Sequence, residues 1–111
     1  MKVGFIRCQK TEDICSAKED FKAVREKKGA FKGVAEDIII IGFYSCGGCP
    51  GDKASSRAAK MVRQGADTIV LTSCITKGRR EGEACPYAEE MKEEIVKRLG
   101  EKVKIIDHSH K

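Results

Sequence analysis

The stretch DIIIIGFYSCGGCPGDKASS, Asp37 to Ser56, places an apolar run, a turn with two cysteines and the start of a helix-like segment side by side. The apolar run is nearly continuous and rich in isoleucine, which is typical of a strand buried on both faces of a parallel sheet. After the turn, apolar residues recur at helical spacing over 53–64. The stretch therefore predicts a strand at 37–45, a tight turn and a helix, with Cys46 and Cys49 at the turn.

The same alternation of strand and helix continues in both directions along the chain. The further predicted segments are strands at 2–7, 67–73 and 102–107, helices at 16–28 and 86–99, and a loop or short helical turn at 30–36. Strands that alternate with helices favour an α/β fold. We predict a three-layer α/β/α sandwich around a four-stranded parallel sheet in the order 2-1-3-4, formed by a single domain over residues 1–111.

The charge pattern argues against nucleic acid and membranes as partners. The net charge of +5 is mild, and the basic residues are mixed with acids on helix-like segments, as on solvated faces. The one tight basic cluster, KGRR at Lys77 to Arg80, has no neighbouring aromatic residue to stack on bases. No segment resembles a signal peptide or a membrane span, so we expect a cytoplasmic protein.

The six cysteines fall at the ends of the predicted elements. Cys8, Cys46 and Cys74 follow the first three strands, and His108 and His110 follow the fourth. Cys15 and Cys85 precede the first and third helices. Parallel strands end at one edge of the sheet, which is where open α/β sheets bind ligands, and helix starts return to that edge. We therefore expect these side chains to gather at one rim.

Cytosolic thiols are kept reduced, so this many cysteines indicates metal or redox chemistry before structural disulfides. A Cys-x-x-Cys turn brings two sulfurs to one point, and zinc or an iron–sulfur cluster requires several thiolates together. Cys46 and Cys49 are the predicted core ligands. Cys8 and Cys74 are the expected companions, with Cys85 and His110 as further candidates.

Two other hypotheses use the same residues. Cys46 and Cys49 precede a helix, where thiolates are stabilised, and could form the exchange pair of a thiol-disulfide oxidoreductase acting on a small-molecule or protein redox partner. The glycine-rich turn between strand and helix could instead hold an anion such as phosphate on its N–H groups, although it lacks the spacing of a P-loop.

Five blocks together resemble the CGGC-domain family of small bacterial and archaeal proteins: KVGFIRCQKTEDIC, GFYSCGGCPG, ADTIVLTSCITKG, CPYAEEMKEEI and the terminal Ser-His. The resemblance covers nearly the whole chain. It implies a metal-binding protein of no particular substrate or reaction. The matching positions, carried over as metal ligands, are Cys8, Cys15, Cys46, Cys49, Cys74, Cys85 and His110. His108 stands outside the family's pattern.

Overall fold

The computed structural model describes residues 1–13, 15–76 and 85–110. The strands are β1 (Lys2–Arg7), β2 (Ile39–Ser45), β3 (Thr68–Leu71) and β4 (Lys104–Ile106). The helices are α1 (Lys18–Glu26), α2 (Ala54–Arg63), α3 (Ser73–Thr76) and α4 (Ala88–Leu99). Short 3₁₀ turns lie at Gln9–Thr11, Gly29–Phe31 and Gly100–Lys102.

The four strands form one parallel sheet in the order β2-β1-β3-β4, which confirms the predicted topology. Each predicted strand and helix is present, with ends trimmed by at most two residues. The one-turn helix α3 was not predicted, because its four residues are too few to show a helical period. The cluster Lys77 to Arg80 lies outside the described residues.

Apolar side chains alternate between the two faces of the central strands. Val3 and Phe5 of β1 enter one core with Phe31, whereas Ile6 enters the other core with residues of α2 and α4. In β3, Val70 joins the first core and Leu71 joins the second. Helix α1 therefore covers one face, and α2 and α4 cover the opposite face. This is the predicted three-layer sandwich.

A bulge in β2 sets its register against β1. Val3 pairs with Ile40 but Gly4 pairs with Gly42, so β2 contains one extra residue, Ile41. The shift places two glycines side by side beneath Met61 of α2. A Cβ atom would lie 2.7 Å from the Met61 sulfur at Gly4 and 2.9 Å from it at Gly42. The missing side chains therefore let α2 pack close to the sheet.

None of the helices in the described part of the chain is both long enough and apolar enough to cross a lipid bilayer.

Candidate functional site

The cysteines lie at the carboxyl edge of the sheet, where the strand order predicts them. Cys8 follows β1 directly, Cys46 follows β2, and Cys74 lies in α3, three residues after the end of β3. The Cys46 N–H donates to the carbonyl of Arg7 at 2.7 Å, so the β1–β2 ladder continues as far as this cysteine. The two strand ends therefore hold Cys8 and Cys46 next to each other at the rim.

Four cysteines line one small cavity at this rim, and they are Cys8, Cys46, Cys49 and Cys85. Ile75, Tyr87 and Met91 supply much of its apolar wall. The space inside is about that of one water molecule. Cys8 and Cys46 are buried, Cys85 is half-buried and Cys49 is exposed. The cavity therefore has thiols both in its interior and at its mouth.

Cys85 reaches the cavity although α4 begins only at Ala88. Its N–H donates to the carbonyl of Ile75 in α3 at 2.8 Å. This bond ties the segment before α4 to the short helix that follows β3. The prediction that helix starts return to the strand ends is confirmed for this residue.

The turn between Cys46 and Cys49 depends on glycine. Gly47 and Gly48 adopt φ values of +83° and +98°, a region that other residues rarely enter. A Cβ atom at Gly47 would also lie 2.9 Å from the Cβ of Lys53. The two glycines thus let the chain reverse tightly against the start of α2, which holds both cysteines of the motif on the same turn.

Arg57 of α2 forms hydrogen bonds with the end of β2, where this turn begins. Its guanidinium donates to the carbonyl of Ser45 at 2.9 Å and to the Ser45 hydroxyl at 3.0 Å. That hydroxyl accepts the N–H of Gly47 at 3.1 Å. The guanidinium also lies 5.7 Å from the ring centroid of Tyr44, within cation–π range. One side chain therefore links α2, the end of β2 and the first residue of the turn.

The second half of the loop is closed by its own backbone. The Cys49–Pro50 peptide is cis, and the N–H of Gly51 donates to the carbonyl of Gly48 at 2.7 Å. The N–H of Ala54 donates to Gly51 in turn. Together with Gly47, whose N–H bonds Ser45, these amides are engaged within the loop. Fewer N–H groups of this loop are therefore left to bind an anion than its glycine content suggests.

Cys74 lies beside this cavity and packs against the same core. Its sulfur is 2.9 Å from the hydroxyl of Thr72 and 3.8 Å from the hydroxyl of Thr11. The Thr11 hydroxyl also donates to the carbonyl of Cys8 at 2.8 Å. Threonine hydroxyls thus surround the Cys74 sulfur, whereas the cavity described above is lined by other cysteines.

Cys15 is held in a different environment. Its sulfur accepts the N–H of Ala17 at 3.4 Å, and its carbonyl accepts a bond from the Arg7 guanidinium at 2.5 Å. Arg7 also donates to the carbonyl of Thr11 at 3.3 Å. The contacts of Cys15 are therefore with the loop between β1 and α1 and with the end of β1, and it does not line the cavity.

The chain end folds back across α1 and α3 rather than over the cavity. Ser109 is fully buried, and its hydroxyl donates to the buried carboxylate of Asp20 in α1. The N–H of Ser73 donates to the Ser109 hydroxyl at 3.3 Å, and the Ser73 hydroxyl donates to the carbonyl of His110. The His110 ring lies 3.8 Å from Asp20. The structure therefore places His110 at α1, apart from the four clustered cysteines.

His108 has a surface role. Its ring nitrogen lies 3.2 Å from the Asp107 carboxylate. This hydrogen bond, aided by the charge of Lys92 at 3.5 Å, lowers the pKa of Asp107 below its usual value. Asp107 is half exposed, so solvent screens the pair and its contribution to stability is small.

The thiols line the cavity, but they do not converge as the ligands of a bound metal would. Within residues 1–13, 15–76 and 85–110, no group of three or more Cys, His, Asp or Glu side chains is arranged to hold a metal ion. Cys15, Cys46, Cys49, Cys74 and Cys85 are not in disulfides. Four of the seven predicted ligands are thus brought to one cavity, Cys74 lies beside it, and Cys15 and His110 contact other parts of the fold.

Sequence reasoning missed the polar contacts that hold the C-terminal segment and the turn with Cys46 and Cys49 in place. Asp20 and Ser109 are 89 positions apart, and no spacing rule relates them. Arg57 and Ser45 are 12 positions apart and lie on different elements. Ser45 could have been noticed, because a serine directly before a glycine turn often accepts a backbone N–H two residues later.

Comparison with known proteins identifies relatives of this chain. The sequence profile of the CGGC domain matches residues 2–110. An uncharacterized protein of Methanocaldococcus jannaschii is 38% identical over 111 residues, which cover 95% of this chain and 81% of that protein. A second uncharacterized protein of the same organism is 37% identical over 65 residues, which cover 58% of this chain and 92% of that protein. No solved structure matches.

Proposed function

The chain belongs to the CGGC domain family, and from that premise we propose that it binds a thiophilic metal, zinc or iron–sulfur, through cysteine thiolates at the rim of its sheet. The observation that carries the proposal is the single cavity lined by Cys8, Cys46, Cys49 and Cys85. These cysteines come from three separate parts of the chain. Four thiolates are the usual ligand set of structural zinc and of iron–sulfur clusters.

The size of the cavity favours one ion over a cluster. Its interior has room for about one water molecule, which is near the space that a single metal ion occupies between its ligands. An iron–sulfur cluster adds inorganic sulfides and needs a larger opening. We therefore place a single zinc ion first and an iron–sulfur cluster second.

Binding would draw the thiols inward from the walls that they line. Cys46 and Cys8 are anchored to neighbouring strand ends, whereas Cys49 is exposed and Cys85 precedes a helix. Each thiol must lose its proton to bind the metal, so we expect metal affinity to fall as the pH is lowered. Because binding joins three parts of the chain, the metal should also raise the thermal midpoint of unfolding.

The test is the metal content of protein purified without oxygen, measured by mass spectrometry for the wild type and for matched Cys→Ser variants. We expect about one zinc per wild-type chain, as in a closed Cys₄ site. Cys85→Ser should lose most of this metal. Cys15→Ser is the control, because it makes the same chemical change at a half-buried cysteine that does not line the cavity. Metal-free wild type, or equal metal in both variants, would contradict the proposal.

The wider ligand set is tested in the same series. Cys74→Ser and His110→Ala remove the two remaining predicted ligands that lie next to the cavity or across α1. If either belongs to the metal set, its variant should lose metal as Cys85→Ser does. Circular dichroism on each variant separates loss of a ligand from loss of the fold.

One observation favours thiol-disulfide exchange as a second candidate function. In the Cys46–Cys49 pair, Cys49 is exposed and Cys46 is buried, which is the arrangement of an attacking and a resolving thiol. The Cys49 thiolate would attack one sulfur of a substrate disulfide, break its S–S bond and expel the other sulfur as a thiolate. The Cys46 thiolate would then attack the mixed disulfide at Cys49, which releases the second substrate thiolate and leaves a Cys46–Cys49 disulfide.

The same variants separate the two functions. Exchange by the pair alone needs neither Cys8 nor Cys85, so Cys85→Ser should still reduce a model disulfide under the second view. Under the metal view, Cys85→Ser loses metal, and the wild type exchanges disulfides only after the metal is removed. Loss of exchange in Cys49→Ser with retention in Cys85→Ser would favour the oxidoreductase.

A further inference from the structure

The two edges of the sheet are built very differently. The edge strand β4 has three residues, and the exposed Lys104 begins it. Short length and lysine are the usual protections of an edge against pairing with another chain. The edge strand β2 has seven residues, IIIGFYS, without a charge or a proline. The β2 edge therefore lacks these two protections and has the bulge at Ile41 instead.

Exposed apolar side chains concentrate near the β2 edge. In the described part of the chain, three large apolar side chains are exposed: Ile39 at 52%, Val96 at 43% and Phe21 at 40%. Ile39 is the first residue of β2. Phe21 of α1 stacks on Phe43 of β2 with ring centroids 5.3 Å apart. Two of these three side chains thus border the β2 edge, one at the strand start and one above its middle.

Backbone N–H and C=O groups on the outer side of β2 can form hydrogen bonds with a further strand. The Cys46 N–H bonds to Arg7 of β1, so the alternate residues Ser45 and Phe43 direct their N–H and C=O groups away from β1. Arg57 occupies the carbonyl of Ser45. The N–H of Ile39 donates to the carbonyl of Met1 at 2.8 Å, so the segment from Ile40 to Phe43 supplies the outward groups for a new ladder.

We propose that the β2 edge pairs with the β2 edge of a second copy of this chain, in antiparallel orientation, to join two sheets into one. The charges at the two ends of the strand select this partner and this orientation. Asp37 is exposed just before β2, next to Glu36, whose carboxylate lies 3.8 Å from the Met1 ammonium. Lys53 and Arg57 lie against Gly47 just after it. Antiparallel pairing places the acidic end of each copy beside the basic end of the other.

Parallel pairing of the same edges would oppose like charges at both ends, which is unfavourable. Asp37 and Lys53 form no ion pair within the described residues, so both are available to a second copy. A two-fold axis also makes the contact self-complementary and closed, which prevents open-ended polymers. This inference is independent of the metal proposal, because no cysteine takes part in the contact.

The test is the molar mass in solution, measured by light scattering over a dilution series of the full chain. The wild type should reach twice the 12.2 kDa chain mass. Ile39→Lys adds a positive charge at the start of β2, which the antiparallel arrangement places beside the basic end of the second copy, and it should raise the dissociation constant at least about tenfold. Val96→Lys is the matched control, because it makes a similar substitution at a similarly exposed side chain on α4, and it should leave the dissociation constant unchanged.

A charge exchange tests the orientation. Asp37→Lys and Lys53→Glu should each weaken the dimer, and the double variant should restore it, because the two charges face each other only in the antiparallel arrangement. A wild type that stays monomeric at high concentration overturns the proposal. So does a dimer that responds equally to Ile39→Lys and Val96→Lys. A dimer that the double variant fails to restore overturns the antiparallel arrangement.

Discussion

Gly29 and Gly33 both adopt positive φ values, +56° and +82°, but their surroundings differ. A Cβ atom at Gly29 would lie 2.5 Å from the backbone carbonyl oxygen of Ser109, whereas no atom of the described residues lies within 4 Å of one at Gly33. Alanine costs about 1 kcal/mol at each site for the left-handed backbone. Gly29→Ala must also displace the chain end. We therefore expect a clearly larger loss of unfolding free energy for Gly29→Ala, measured by urea denaturation, and equal losses would contradict the described path of the tail.

Gly4 and Gly42 share one neighbour, the buried Met61. Either alanine overpacks this contact and should cost about 1–3 kcal/mol of unfolding free energy. Because both methyl groups press on the same side chain, a single shift of Met61 partly relieves the two clashes. The double variant should therefore lose less than the sum of the single variants in urea denaturation. Strict additivity would show that Met61 does not link the two sites.

At the scale of elements, Arg57 connects α2 to the end of β2 and to the turn that carries Cys46 and Cys49. Arg57→Met should cost about 1–2 kcal/mol of unfolding free energy, because the Ser45 acceptors lose their donor. Metal affinity should fall as well, since the turn loses its anchor. Arg63→Met on the exposed face of the same helix is the control, and it should change neither quantity. Equal effects of the two variants on metal affinity would exclude this role for Arg57.

At the scale of the whole molecule, the chain end closes the fold by joining α1 and α3. Ser109→Ala leaves the buried Asp20 carboxylate without its hydroxyl donor, which should cost about 1–3 kcal/mol of unfolding free energy. His108→Ala should cost little, because its partner Asp107 is half exposed. Urea denaturation of both variants tests this order. A larger loss for His108→Ala would mean that the tail is held by its surface pair instead.

Much of the architecture could be predicted from local patterns. The isoleucine-rich run at 37–45 has the composition of a strand covered on both faces, and its length excludes most helices. The parallel direction of the strands followed from the alternation of strands and helices, with right-handed crossovers. Two local features could not be predicted. Helix α3 has too few residues to show a period, and Ile41 forms a bulge that no sequence pattern announces, because the bulge is defined by the partner strand.

The candidate site also has features that local patterns predict and features that they do not. Local patterns predict that Cys8, Cys46 and Cys74 follow strands and that Cys85 returns to the same rim, because parallel strands share one carboxyl edge. The packing of the folded chain settles which cysteines line one cavity, brings Cys15 and His110 to other parts of the fold, and buries Ser109 against Asp20. Local hydrophobic patterns show the alternation of strands and helices, and that alternation makes the strands parallel. The meeting of side chains 89 positions apart depends instead on how packed elements position them.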